Sequence, residues 1–276
     1  MKDVTLGQYY PIDSPIHRLD PRIKIIGALL YIVLAFVVGT YIGLALLFAF
    51  IAVITTLSKV PVKSMLKGLK AVYILLAFTF IINACFSGGD TVWAQWWIFT
   101  ITKEGVIRAV FMALRLVLLI TGASLLTLTT SPIQLTDGIE RLLSPLAKIK
   151  FPAHEIAMMM SIALRFIPTL MEETDRIMKA QAARGAVFDK GGLIARAKAI
   201  IPLLVPLFVS AFRRAGDLAM AMEARCYHGG EGRTHFHVLR FQRADFIAMA
   251  ALCLFAAAAI TDGAILSRLL PMLARP

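Results

Sequence analysis

Long runs without charge alternate with basic, turn-rich segments along this chain. From 25 to 58 no Asp, Glu, Lys, Arg or His occurs, a stretch of 34 residues. One membrane-spanning helix needs roughly 20 apolar residues, so this run is too long for one ordinary span. Gly39-Thr40-Tyr41-Ile42-Gly43 sits at its midpoint and supplies a turn. The pattern predicts a tight helical hairpin, about 24–40 and 42–58. Residues 71–89 form a second uncharged run and a third span, ended by Gly88-Gly89-Asp90. Trp93, Trp96 and Trp97 cluster just beyond it, a pattern that favours the membrane interface. A fourth span is expected at about 109–129, with Arg115 near its start, and a fifth at about 246–267, with Asp262 near its far end. Lys59, Lys63, Lys67 and Lys70 share one helix face between the second and third spans. That basic stripe is a solvated amphipathic link that also suits anionic headgroups.

The segment 131–243 has a different texture. Ser131-Pro132, Ser144-Pro145 and Phe151-Pro152 break its early part. From 154 to 183 a single helix is expected, with one internal proline, Pro168, and Gly185 placed for a left-handed cap. From 193 to 225 the pattern predicts a second long helix, kinked by Pro202 and Pro206 and ended by Cys226-Tyr227-His228-Gly229-Gly230. Both carry too much apolar surface for free cytosol. The charge-free part of the second, 199–212, is too short for a full span. Seven of the 12 methionines lie in this segment. Methionine fills core gaps, and it is also over-used on surfaces that accept several partners.

Composition sharpens this reading. The 276 residues are 59% hydrophobic and 17% charged, with a mean hydropathy of +0.77. That excludes disorder and argues against an ordinary soluble globule. The 29 basic and 17 acidic residues give +12. In a membrane protein such an excess marks a cytoplasm-facing surface rather than a nucleic-acid site. The polar start, from Tyr9 to Lys24, reads as a structured turn segment at the membrane surface rather than a secretory signal. With a cytoplasmic N-terminus, the short segments place eight Lys and Arg inside and four outside. Cys85, Cys226 and Cys253 have no metal or disulfide spacing.

The two long helices end alike. The first ends Gln181-Ala182-Ala183-Arg184-Gly185 and the second Met222-Glu223-Ala224-Arg225-Cys226. Each end is an Ala-Arg-small triplet, and each precedes a Gly-Gly, Gly191-Gly192 and Gly229-Gly230. One such arginine is an ordinary complement to the helix dipole. Two equivalent ends point to paired docking tips, because small neighbours admit another backbone and Arg offers a planar fork of donors.

On these ends, on Ser14-Pro15-Ile16-His17-Arg18-Leu19-Asp20-Pro21-Arg22-Ile23-Lys24 and on Arg165-Phe166-Ile167-Pro168, the chain resembles the transmembrane T component of energy-coupling factor (ECF) vitamin transporters. The resemblance covers nearly the whole chain. Cys226 departs from it, standing where glycine is common. It implies an all-α integral membrane protein with about five transmembrane helices plus long cytoplasmic coupling helices. The implied parts are a cytoplasmic N-terminal segment (1–24), a four-helix membrane domain (25–130), a cytoplasmic coupling domain (131–243) and a C-terminal span (244–276). It also implies partners: two cytoplasmic ECF ATPases, a substrate-binding S component, and membrane lipid. Ala183, Arg184, Gly185, Ala224, Arg225 and Cys226 would dock the ATPases. Met159, Met160, Ala163, Phe166 and Ile167 would form the platform for the S component. ATP-driven closure would move the coupling helices and topple the S component to release its substrate. No catalytic or metal site is implied, and ATP and Mg would be bound by the partner ATPases. In keeping with this, the sequence has no G-x-x-x-x-G-K-[ST] phosphate loop.

Three other readings compete. A T subunit of a cobalt or nickel ECF importer belongs to the same family. A secondary transporter needs ionisable groups at mid-membrane, and only Arg115 is a candidate. An intramembrane metalloprotease draws on Glu172-Glu173-Thr174-Asp175-Arg176, one residue short of a Glu-Glu-x-x-x-Arg motif, and on His235 and His237 as metal ligands.

Overall fold

A computed structural model of the chain describes residues 9–86, 92–96, 99–145, 151–186, 192–229 and 241–269. The element order is α1 (Pro21–Val37), α2 (Tyr41–Ser58), α3 (Val62–Phe86), β1 (Val92–Trp96), β2 (Phe99–Thr102), α4 (Lys103–Thr129), α5 (Pro132–Leu143), α6 (Ala153–Ala183), α7 (Leu193–Ala224) and α8 (Arg243–Leu269). Two compact units result, Met1–Gly138 with Leu239–Pro276, and Ile139–Val238.

The first unit is built around α1 and α4. Helix α1 packs on α4 and α8, α2 on α4 and α8, and α3 on α4. Tyr31, Leu34, Leu47, Phe111, Leu118 and Phe255 are buried together at the centre. The outer faces are equally apolar. Leu29 is 60% exposed, Phe36 65%, Phe48 65% and Leu254 74%. An outward hydrophobic surface on this scale needs lipid around it. Tyr41–Ser58, Lys103–Thr129 and Arg243–Thr261 are each long and apolar enough to cross a bilayer. Helix α3 joins them if Val62–Lys70 and Val72–Phe86, bent by 66° at their junction, count as one span. At 17 residues, α1 extends only about 25 Å, short of the roughly 30 Å hydrocarbon core.

Two helix starts share one device. Thr40 and Thr102 are extended N-cap residues whose hydroxyls accept from the amides of Gly43 and Gly105, both at 3.1 Å. The second cap sets α4 back to Lys103, earlier than the sequence pattern predicts, because Lys103, Glu104 and Arg108 make its first turns look like a loop. Arg115 is therefore mid-helix, not near the start. Its guanidinium donates to the carbonyl of Val38 at the α1–α2 turn and lies 5.0 Å over the Phe111 ring. A short antiparallel hairpin, β1 with β2, precedes α4. It is the only strand pairing among the described residues, and the sequence pattern gave no sign of it.

The N-terminal motif is a knot. His17 Nε2 donates to the Tyr10 carbonyl at 3.1 Å, and the Ser14 hydroxyl is 2.7 Å from Nδ1. Burial lowers the His17 pKa, which keeps the ring neutral and Nδ1 free to accept. Lys24 donates to the carbonyls of His17, at 2.9 Å, and Thr129, at 3.2 Å, tying this segment to the end of α4. Asp20 caps α1 by accepting from the Arg22 amide, and its carboxylate pairs with the Arg22 guanidinium at 2.8 Å. Asp245 of α8 accepts from the amides of Asp20, at 2.9 Å, and Gln242, at 2.7 Å. Arg22 also lies 4.1 Å over the Phe241 ring. The residues from Ser14 to Lys24 thus join the starts of α1 and α8 to the end of α4.

Candidate functional site

The second unit is a pair of long helices, α6 of 31 residues and α7 of 32. Pro168, Pro202 and Pro206 sit inside them without ending either helix. Each helix closes through the same hydrogen-bonded motif. At the end of α6 the Gly185 amide donates to Ala182 and the Ala186 amide to Gln181, both at 3.0 Å. At the end of α7 the Cys226 amide donates to Glu223 at 2.8 Å, and the Tyr227 amide to Met222 at 3.0 Å. These are two Schellman closures in one register. Arg184 and Arg225 are the capping residues, and Gly185 and Cys226 take the left-handed position at φ +90° and +53°. Cys226 therefore adopts the conformation that glycine supplies in the other tip. Ala183, Arg184, Gly185, Ala224, Arg225 and Cys226 are all exposed. Gly192 is the N-cap of α7 and Gly229 has φ +101°, whereas Gly191 and Gly230 lie outside the described residues.

Between the tips the helices are bridged. Arg214 of α7 donates to Glu173 of α6 at 2.8 Å. The two residues are 41 apart in sequence, the same offset that separates Arg184 from Arg225. Each tip is therefore 11 residues beyond the bridge, or about 16–17 Å along its helix. The Ser210 hydroxyl hydrogen bond is the main cause that holds the Glu173 carboxyl below the usual range. Burial opposes it, while Arg214 and Arg176 add to it. Sequence reasoning missed this bridge, although the shared offset was there to be found. It also shows where the acidic run of the protease reading goes, since Glu173 is engaged by Arg214 and Glu172 lies 3.8 Å from Arg176. His235 and His237 lie outside the described residues.

The expected platform divides. Met159, Met160 and Ala163 are exposed, while Phe166 and Ile167 are half-buried. A larger apolar face lies on α7, where Ile201 is 55% exposed, Val205 58%, Phe208 59% and Phe212 75%. Their spacing of four, three and four residues aligns them on one stripe. The proline interruptions and the all-round apolar composition of α7 hid that stripe in the sequence.

Lipid-facing helices, long apolar spans and a helical unit with matched arginine caps define an all-α integral membrane protein. Residues 13–236 match the family model described as "Cobalt transport protein". The chain is also 56% identical over 249 residues to the "Energy-coupling factor transporter transmembrane protein EcfT" of Clostridium kluyveri, covering 90% of this chain and 92% of that one. It is 54% identical to the protein of the same name from Acidaminococcus fermentans, over 89% of this chain and 91% of that one. For that of Thermosediminibacter oceani the identity is 53%, over 94% and 98%. The chain belongs to this family, the transmembrane T components of energy-coupling factor transporters.

Proposed function

We propose that the chain is the energy-coupling subunit of an ECF importer for a vitamin, linking two cytoplasmic ATPases to a substrate-binding S component. The observation that carries this reading is the duplicated helix end. Two exposed arginines occupy the same position of the same closure, equally far from the bridge that joins their helices. A structural cap needs no such matching. Two like partners, each offering an acidic or carbonyl-lined groove, would use it. ATP and Mg belong to those partners, and this chain is not an enzyme but a relay. Movement imposed at either tip passes along α6 or α7 to an apolar platform, on which Met159, Met160, Ala163, Phe166 and Ile167 meet the S component. The chain sits in the cell membrane as a multi-pass protein with its N-terminus and tips in the cytoplasm.

Purification of the tagged chain from its own cells tests this. Two nucleotide-binding subunits and a small apolar membrane protein should copurify, with ATP hydrolysis present in the assembly and missing from the isolated chain. Substrate uptake supported by the chain alone, driven by an ion gradient, would contradict the reading. A second reading is the T subunit of a cobalt or nickel ECF importer, and the family description, which names cobalt, supports its cobalt form. Uptake of radiolabelled cobalt or nickel by the same assembly would support it over the vitamin reading.

A further inference from the structure

The first unit holds an apolar groove of about 620 Å³, within the ~300–1,000 Å³ range of small-molecule sites. It is lined by residues between 23 and 31 of α1, 46 and 57 of α2, 122 and 129 of α4, and 244 and 255 of α8. Its inner end is closed by aromatic rings, with Phe50 stacked on Phe255 at 4.1 Å and Tyr31 6.0 Å from Phe50. Its outer end is bounded by Pro15, Ile16 and Leu19 of the N-terminal segment. Along α2 the lining covers 11 residue steps, or about 17 Å. That is close to half of the roughly 30 Å hydrocarbon core. The lips are apolar and open, Val53 being 56% exposed and Ile247 70%.

A partner helix would follow the spans through both leaflets, but this groove stops at the rings, one leaflet deep. Its polar end is basic. Arg18 precedes lining residue Leu19, Lys59 follows Leu57 by two residues, and Arg243 precedes Ala244, all three cations being exposed. Three acids share that end. Asp13 pairs with Arg18, Asp20 with Arg22, and Asp245 accepts from two amides. Lys24 is turned inward onto two carbonyls. Lys59 and Arg243 have no carboxylate within ion-pair distance among the described residues.

We propose that this groove binds one acyl chain of an anionic phospholipid from the leaflet nearer the N-terminal segment, with Lys59 and Arg243 holding its headgroup. The site is separate from the helix tips and does not depend on their role. It places a lipid against the residues that knot α1 to α8.

The test uses the full chain in vesicles of mostly phosphatidylcholine, doped with a lipid that carries a diazirine near the end of one acyl chain. The probe is either phosphatidylglycerol or phosphatidylcholine, and the crosslinked residues are mapped by peptide mass spectrometry. The phosphatidylglycerol probe should label Tyr31 or Phe50 more strongly than outward-facing Leu29, and more strongly than the phosphatidylcholine probe does. Ala28→Phe and Ala248→Phe, which fill the groove, should each abolish labelling at Tyr31 and leave Leu29 labelled. Lys59→Gln and Arg243→Gln, which leave the groove intact, should each reduce the phosphatidylglycerol preference by up to about fivefold. Equal labelling by the two probes overturns the proposal, as does labelling of Leu29 as strong as that of Tyr31. Groove labelling that disappears when the copurifying subunits are bound also overturns it, because a partner helix is then the occupant.

Discussion

Cys226 holds a backbone conformation that L side chains disfavour by about 1–2 kcal/mol, at φ +53°. The same closure at Gly185 carries no such cost. Cys226→Gly should therefore keep the tip intact and raise the thermal midpoint of the detergent-solubilised chain slightly. Cys226→Val, with a β-branched side chain in that position, should lower the midpoint and weaken docking at this tip only. Gly122 is tightly placed in another way. A Cβ there would lie 2.3 Å from the Tyr31 ring, whose hydroxyl donates to the Leu118 carbonyl at 3.1 Å. Gly122→Ala must push that ring off Phe50, an overpacking cost of about 1–3 kcal/mol, read as a lower thermal midpoint. The left-handed position was signalled by Gly185 and by the matched end at Cys226, whereas the constraint at Gly122 was not legible, because ring placement is set by the packing of α1 on α4.

Arg214 and Glu173 form a charged bridge between α6 and α7, and on the proposed function it would set how motion at one tip reaches the other. Glu173 and Arg214 are partly shielded, at 22% and 37% side-chain exposure, so the pair contributes about 1 kcal/mol. Arg214→Ala and Glu173→Gln should leave both tips able to dock but loosen the crossing. The expected reading is ATP hydrolysis close to normal with transport reduced several-fold. Equal loss of both activities would show that the pair only supports folding. The pH dependence has a definite sign. The Glu173 carboxyl is depressed below the usual glutamate value of 4.5, so the contribution is complete above that value and fades only as pH falls through the lower folded-state value. Bridge-dependent coupling should therefore be flat between about pH 6 and 8. The elements themselves were largely legible, since uncharged runs and proline-glycine punctuation mark α1, α2, α3 and α8. The start of α4 was obscured by its charged first turns. The hairpin at β1 and β2 was hidden because its tryptophans read as an interface belt. The tips stood out because the Ala-Arg-small triplet occurs twice. The bridge did not, since its glutamate and arginine look like ordinary surface charges until the helices are paired.

On the scale of the whole molecule, the chain is a lipid-embedded unit knotted by its N-terminal motif, and a second unit of two long helices with matched ends. The basic excess of the short segments sets an expected orientation. A cysteine placed at exposed Lys63 should react with a membrane-impermeant reagent only from the cytoplasmic side, and one at Asp90, outside the described residues, only from the exterior. The account rests most directly on the two arginines. If each tip engages an acidic or carbonyl-lined groove, reversing its charge should cost about 2–5 kcal/mol, or roughly 30-fold to several-thousand-fold in affinity. One intact tip retains its partner through effective concentration, so Arg184→Glu or Arg225→Glu alone should impair transport without releasing the ATPases. The decisive measurement is the stoichiometry of ATPase subunits copurifying with the Arg184→Glu, Arg225→Glu double variant in detergent. The account predicts that both ATPases are lost while the membrane helices keep their thermal midpoint. Both ATPases retained at wild-type stoichiometry would contradict it and reduce these arginines to helix caps.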